Sequence, residues 1–465
     1  MTEKFVKPGR FATLVMSCAL AVMCHARTAV TTWPIPEGIA PSSDYRVTAG
    51  GVDIPVLRTP DTEYRPHFQQ PTNHYSYAQF DAEGEVEVKV EWKGGSEAFR
   101  ARPPFKRVFQ PFGRDSSLVL VANAPEADAP RPGDPNVVYV GPGRHRVELT
   151  VLRSGETLYL AGGALLEGSV HAAGTNIAIR GRGILSGAPW AWRKGLKTPK
   201  SDEINLDYGI LALVEGKGNV VRDVVLWSGW SYHLVLNEAA DCVVDNVKIL
   251  GGRVLNDDGI DPCRCRNLVI RNSFVHTQDD CLAPKYWIDG MVVSNMMLWS
   301  DCASPVRIGY ECDPMPRCFR DLAFRDVDVL RVTRIPTPIE AYWARPILQL
   351  QSTNESLFDG ILFDGLRVAE ATATDSFLVA RTQTTDQTFL YDRPGRMRNV
   401  VFRNVSLPPA PGGLPSLLSA HDEEHPILGV KFENVRPLGK ITRTKGVQVE
   451  VDGAAAMDSP QATAN

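Results

Sequence analysis

The chain has no surplus of basic charge: 50 Lys and Arg stand against 54 Asp and Glu, a formal net charge of −4. No field therefore exists to gather phosphates, and neither nucleic acid nor an anionic membrane surface is an expected partner. Beyond the N-terminus no apolar run reaches the ~20 residues a membrane-spanning helix needs. Cysteine is absent from the first half after Cys24; the remaining seven lie between Cys242 and Cys318. No Cys-x-x-Cys or complementary His spacing completes Cys263-Arg-Cys265 as a zinc framework, so no metal and no other cofactor is called for. The Leu-x-x-Leu-x-Leu pattern of leucine-rich repeats is missing as well.

What is present points to turns and short strands: 38 Gly and 34 Pro punctuate the chain too often for long helices. Lys4, Lys7 and Arg10 precede the apolar run Phe11–Met23, and small residues follow at Cys24–Ala26. Residues 1–26 are expected to be a signal peptide, and the protein to be secreted or periplasmic. An oxidising compartment permits disulfides, and Cys312 and Cys318, separated by a Pro-containing loop, are the expected local pair. Seven is odd, so at least one thiol should stay free.

Residues 30–125 alternate apolar and polar in short runs, most clearly in Phe80-Asp-Ala-Glu-Gly-Glu-Val-Glu-Val-Lys-Val-Glu-Trp92. Period-two alternation with one wet face predicts an antiparallel sheet, within a small N-terminal β-sandwich domain. Ala124–Pro135 reads as a linker, and the small, polar residues 453–465 as a disordered tail.

Between them, over 136–440, a loose repeat recurs. Short apolar strands end at Asn, Asp or Gly: Asn219-Val-Val-Arg-Asp223, Asp241-Cys-Val-Val-Asp-Asn246, Asn267-Leu-Val-Ile-Arg-Asn272 and five later copies ending at Asn295, Asp326, Gly365, Asn404 and Asn434. The steps from Asp223 are 23, 26, 23, 31, 39, 39 and 30 residues. One short β-unit per irregular repeat predicts a solenoid, and a propeller would need a steadier period. A parallel β-helix meets the pattern physically. Strands stack at ~4.8 Å, alternate apolar residues fill the interior, and Asn or Asp takes the left-handed conformation at a corner. The fold class expected is thus all-β, a parallel β-helix preceded by a β-sandwich.

Two carboxylate clusters stand out, Asn256-Asp-Asp-Gly-Ile-Asp261 and Gln278-Asp-Asp-Cys281. Asp258 and Asp280 are 22 residues apart, about one coil, which places both clusters on adjacent turns of one surface. Sugar hydrolysis needs such a pair: one protonated carboxyl beside the leaving oxygen and another carboxylate to activate water. Crowding like charges also raises one pKa.

Asn256-Asp-Asp258-Gly-Ile-Asp261 followed by Asp279-Asp280-Cys-Leu-Ala-Pro-Lys285 resembles the signature of the polygalacturonase family of glycoside hydrolases, Asn-Thr-Asp-Gly-Ile/Phe-Asp and then Gly-Asp-Asp-Cys-Ile-Ala. The resemblance extends over about Gly141–Val435. It implies an inverting mechanism on a right-handed β-helix, with Asp279 as general acid, Asp258 and Asp280 activating the water, Asn256 orienting them and Asp261 holding the turn. The chain departs from the family where Gly-His-Gly is expected, near Ala303-Ser304-Pro305. It also departs at the Arg-Ile-Lys that grips galacturonate, where Arg307-Ile-Gly-Tyr310-Glu311 stands. These departures widen the choice of sugar. The dextranase and isopullulanase group is similar too: it joins a β-sandwich to a β-helix and uses an Asn-Asp-Asp cluster followed by an Asp-Asp pair.

Around the clusters, Trp190, Trp230, Tyr232, Trp287 and Tyr310 are candidate platforms for a pyranose face. Lys285, Arg307, Glu311 and His233 are candidate polar contacts, with Arg307 either gripping a uronate or pairing with Glu311. The expected partner is a carbohydrate polymer or oligosaccharide. Two other readings stay open: a polysaccharide lyase with Asp257, Asp258, Asp279 and Asp280 around calcium and Lys285 or Arg307 as base, and a glycan-binding protein without catalysis. Linkage, endo or exo action and oligomeric state are not legible.

Overall fold

The computed structural model describes residues 29–61, 74–111, 117–191, 209–332, 338–341, 344–370, 375–384 and 393–455. The expected signal peptide and all but the start of the expected tail lie outside them. Among the described residues no helix is long and apolar enough to cross a membrane.

Each coil of the solenoid contributes short strands that pair in parallel with the equivalent strands of the next. In one stack Val137–Val140 pairs with Thr157–Leu160, then Ala178–Gly181, Val220–Arg222 and Val243–Asp245 follow in register. A second stack runs through Ile184–Ser186, Val225–Trp227, Lys248–Leu250 and Phe274–Thr277. The third, which carries the site, passes from Leu211–Lys217 to Leu234–Ala240 and Ile260–Arg271. It continues by single bridges through Leu282 to Val306–Gly309, and on to Leu348–Ser352 and Leu378–Thr382. This is the parallel β-helix expected from the repeat, with the right-handed sense the family resemblance implies. The parallel ladder continues past residue 440 to Val447–Val451, where Ala454–Ala455 turns back and pairs antiparallel with it.

Register makes the interior a set of ladders. Ile179, Val221, Val244, Ile270 and Val293 stand over one another, and the same line continues as Phe324, Phe363, Phe402 and Phe432. The four phenyl rings stack with centroids 4.6, 5.3 and 5.1 Å apart. All of these side chains are buried, each contributing about 1.5–3 kcal/mol of transfer free energy. The recurring Asn and Asp sit at two corners with positive φ. Asp223, Asn246, Asn272, Asn295, Asp326, Asn404 and Asn434 form one series, Asp241, Asn267, Asp321 and Asn399 the other. Their amides lock successive coils: Asn246 Nδ2 donates to Asp223 at 2.8 Å, Asn295 Nδ2 to Asn272 at 2.9 Å, and Asn267 Nδ2 to Asp241 at 2.9 Å.

The N-terminal region is a sandwich of two sheets. One orders Val52–Ile54, Tyr45–Ala49, Val86–Trp92 and Gly95–Ala101, all antiparallel. The other is built on Ser76–Ala82, Leu118–Asn123 and Phe105–Phe109. Within the run Phe80–Trp92, the polar turn Glu83-Gly84-Glu85 carries the chain from one sheet to the other. One expectation needs correction here: the region is not wholly antiparallel, since Ser76–Ala82 pairs in parallel with Leu118–Asn123.

The second sheet is apolar on both faces. Phe80, Leu118 and Leu120 fill the sandwich, while Tyr75, Tyr77, Val119 and Val121 pack on Ile184, Val225, Leu250, Phe274 and Trp299 of the β-helix. At this junction the buried Arg182 pairs with Asp81 at 2.9 Å and Asp223 at 3.0 Å, and donates to the Ala124 carbonyl.

The expected Cys312–Cys318 disulfide is not formed, and all seven cysteines of the described residues are free. Cys312 faces the solenoid interior with Sγ 3.6 Å from the Gln351 carbonyl. Cys318 opens the next strand with its Sγ against the Pro316 carbonyl at 3.4 Å. Two sulfurs that face opposite sides of the wall cannot meet without moving backbone.

Candidate active site

Where the second stack passes to the third, the chain leaves the ladder at residues 251–259, 278–281 and 301–305 in three successive coils. The strands on either side fix these loops over one another, because Leu250 pairs with His276 and Ile260 with Leu282, which pairs in turn with Val306. Backbone bonds join them directly: His233 N–H to Asp258 O at 2.9 Å, Gly259 N–H to Asp280 O at 2.9 Å and Cys302 N–H to Gln278 O at 2.8 Å. The two carboxylate clusters are thus neighbours on adjacent coils.

Asp257 and His233 hold these loops in place. Asp257 is fully buried and its carboxylate accepts from the backbone N–H of Gly252 at 2.6 Å, Gln278 at 2.5 Å and Asp279 at 3.3 Å. Burial still pushes its pKa well above the usual carboxylate range. His233, also fully buried, accepts from Gly229 N–H at Nε2 (3.1 Å) and donates from Nδ1 to the Asp258 carbonyl (3.1 Å). Both nitrogens are used by the neutral ring, and burial lowers its pKa to about 4. The loop closes over these two groups through Gly251, where a side chain would meet the His233 ring at 2.6 Å.

Asp258, Asp279 and Asp280 have different surroundings. Asp258 is nearly buried and lies 2.9 Å from Lys285 Nζ, which is also 2.7 Å from Asp261 and 4.4 Å from the Tyr232 ring centre. Burial raises the Asp258 pKa well above the usual range, with Asp261, Asp279 and Asp280 adding to the rise and Lys285 opposing it. Burial alone would lower the pKa of Lys285, but Asp258 and Asp261 outweigh it and hold the ammonium charged. Asp279 accepts from Asn256 Nδ2 at 3.4 Å, from the Asp280 N–H at 3.1 Å and from Arg345 at 3.2 Å. Asp280 accepts from Ser304 N–H at 3.0 Å and from Arg307 at 3.4 Å. Its pKa is raised to about 6 by burial and by Asp279, against the pull of Arg307.

Most of the residues singled out from sequence gather here: Asn256, Asp258, Asp279, Asp280, Lys285, Arg307 and, through its position behind the cluster, His233. Arg307 pairs with Asp280, donates to Gln351 at 3.2 Å and stacks on Tyr310 at 4.8 Å. Glu311 contributes charge to the same neighbourhood, acting on Lys285 and Arg307, and its Oε2 is buried without a hydrogen-bond partner. Trp230 is placed differently, fully buried in the solenoid core and edge-on to Trp190 at 5.4 Å, so it presents no face to a sugar. Trp287 lies on the flank, lining a cavity of about 180 Å³ with Arg266, Arg317 and Arg320.

Sequence reasoning missed Arg345, which lies 66 residues from Asp279 in a loop of a later coil, and no local pattern announces it. It also missed that Ser304, standing where a family histidine was expected, serves through its backbone N–H. The position could have been found from the register, since residues 301–305 fall one coil beyond 278–281.

The fold and site together define a right-handed parallel β-helix of glycoside-hydrolase-like fold with an N-terminal β-sandwich. The family model for glycosyl hydrolases family 28 matches residues 168–298, the coils that hold Asp258, Asp279 and Asp280. Among solved structures the chain is similar to Dex49A from Penicillium minioluteum, at 14% identity and TM-score 0.56, covering 84% of this chain and 90% of that one. It is also similar to the family 28 exopolygalacturonase of Yersinia enterocolitica, at 13% identity and TM-score 0.46, covering 92% and 97%. At such identities the likeness is one of fold. No curated protein matches.

Proposed function

We propose that the protein is a secreted or periplasmic glycoside hydrolase that cleaves a polysaccharide or oligosaccharide with inversion. The observation that carries this reading is the convergence of Asp258, Asp279 and Asp280 on adjacent coils, close enough that Asp279 raises the proton affinity of both Asp258 and Asp280. Asp279, the partly exposed member, gives its proton to the glycosidic oxygen as the anomeric C–O bond breaks. Asp258 and Asp280 take a proton from the water that forms the new C–O bond on the opposite face. Asn256 holds Asp279 in line, and Lys285 and Arg307 keep the two bases in place. The match of the family 28 model to these coils supports it.

The lyase reading has less support. A lyase base must be unprotonated to take the proton from the sugar, yet Lys285 is held charged by two carboxylates, and both oxygens of Asp257 are occupied by backbone amides. Binding without catalysis leaves unexplained why three carboxylates are kept partly desolvated side by side, at a cost to stability.

The test is digestion of a panel of neutral and acidic glycans by wild type and Asp279→Asn, following reducing ends and ultraviolet absorbance together. New reducing ends without absorbance, lost in the variant, are expected. Absorbance that a chelator abolishes would select the lyase, and binding without product the third reading.

A further inference from the structure

We infer that the sugar ring this carboxylate cluster accepts carries no acid group. The inference rests on the reading of the cluster as the substrate site and narrows the class of glycan. Five carboxylates meet here, Asp258, Asp261, Asp279, Asp280 and Glu311, against three cations among the described residues: Lys285, Arg307 and Arg345. Each cation already faces one of the protein's own carboxylates, Arg345 through a single terminal nitrogen. Lys285 lies at 2.9 and 2.7 Å from Asp258 and Asp261. Arg307 lies at 3.4 Å from Asp280, with its Nε turned to Gln351, and Arg345 at 3.2 Å from Asp279.

A sugar carboxylate is best held by a cation that no other carboxylate already faces. A uronate arriving here must share one that is already paired, and then stand as a sixth carboxylate among five. A neutral ring brings hydroxyl donors instead, and acceptors are what the cluster has in excess. The clearest is Glu311, whose buried Oε2 lacks a donor. It stands in the stretch Arg307-Ile-Gly-Tyr-Glu311, just before the strand that begins at Cys318. Its negative charge reaches Lys285, Arg307, Asp261 and Tyr232. Glu311 therefore acts as a specificity-determining residue that rejects acidic rings.

The experiment is calorimetric titration of the wild-type full chain with size-matched trisaccharides: isomaltotriose, maltotriose and a galactotriose against trigalacturonate, at two ionic strengths. At least one neutral trisaccharide should bind at least about tenfold more tightly than trigalacturonate, as like-charge juxtaposition requires. Glu311→Gln should narrow that ratio by strengthening the acidic ligand. Tighter binding of trigalacturonate than of every neutral probe, binding of none, or a ratio untouched by Glu311→Gln overturns the inference. Product release from the same sugars separates the two claims. A neutral ligand bound but never cleaved removes the hydrolase reading and leaves the charge preference standing. An acidic glycan cleaved faster than the neutral ones does the reverse.

Discussion

Asp280 and His233 sit two coils apart and respond to burial in opposite directions. The Asp280 pKa is raised to about 6, so the native state holds that proton more tightly than the unfolded chain does. Its contribution favours folding in acid and is lost as pH rises through about 6. If Asp280 is a base, kcat/KM should rise along an acid limb near that pH. Arg307→Gln removes the cation that opposes the shift, so the limb should move to higher pH, which a pH–rate profile reads directly. His233 is depressed to about 4, so its contribution is full above about 6.5 and is lost as pH falls towards 4. The span amounts to roughly 3 kcal/mol, and the drop in Tm between pH 7 and 4 should be smaller in His233→Gln than in wild type. Loss of the proposed acid in Asp279→Asn should cost about 10²–10⁴ in turnover, with the circular dichroism spectrum unchanged. At this scale the sequence was legible where chemistry is local: a spacing of one coil brought Asp258 and Asp280 together. It was silent where a side chain arrives from afar, as with Arg345, and where burial decides, as with Trp230, whose aromatic character alone does not say which side of the wall it faces.

Among the elements, the corners carry the register. Asn272 has φ +57, donates to Asp245 at 2.7 Å and accepts from Asn295 at 2.9 Å. Asn272→Ala combines left-handed strain with the lost ladder bonds and should cost about 2 kcal/mol. Asn272→Gly, free of the strain, should cost visibly less, and urea unfolding distinguishes them. The same conformational demand is why the solenoid could be read from its sequence: few residues tolerate that corner, so Asn, Asp and Gly recur there. The sandwich offered no such marker. Alternation runs unbroken through Phe80–Trp92 although the turn at Glu83-Gly84-Glu85 divides it, and the parallel pairing of Ser76–Ala82 with Leu118–Asn123 joins strands too distant in the chain for periodicity to report. In the interior, Phe363 stacks between Phe324 and Phe402, and Phe363→Ala should cost about 3–5 kcal/mol through the cavity it leaves.

For the whole molecule, Arg182 ties the sandwich to the solenoid. Replacing it by Met leaves Asp81 and Asp223 without their common partner, a loss of about 3–5 kcal/mol for a broken buried pair. Earlier proteolysis within Ala124–Pro135 than in wild type is the expected sign that the two parts have loosened. The opposite end of the chain has its own consequence. A stack of identical rungs offers at its last edge the same free N–H and C=O groups that every inner rung uses, and so invites a further rung from another molecule. Here Ala454–Ala455 folds back on Val447–Val451 in the antiparallel sense, and covers part of that edge with a strand running the wrong way to be copied. A strand in that sense offers no template for another parallel rung, so this rung resists edge-to-edge pairing with a second molecule.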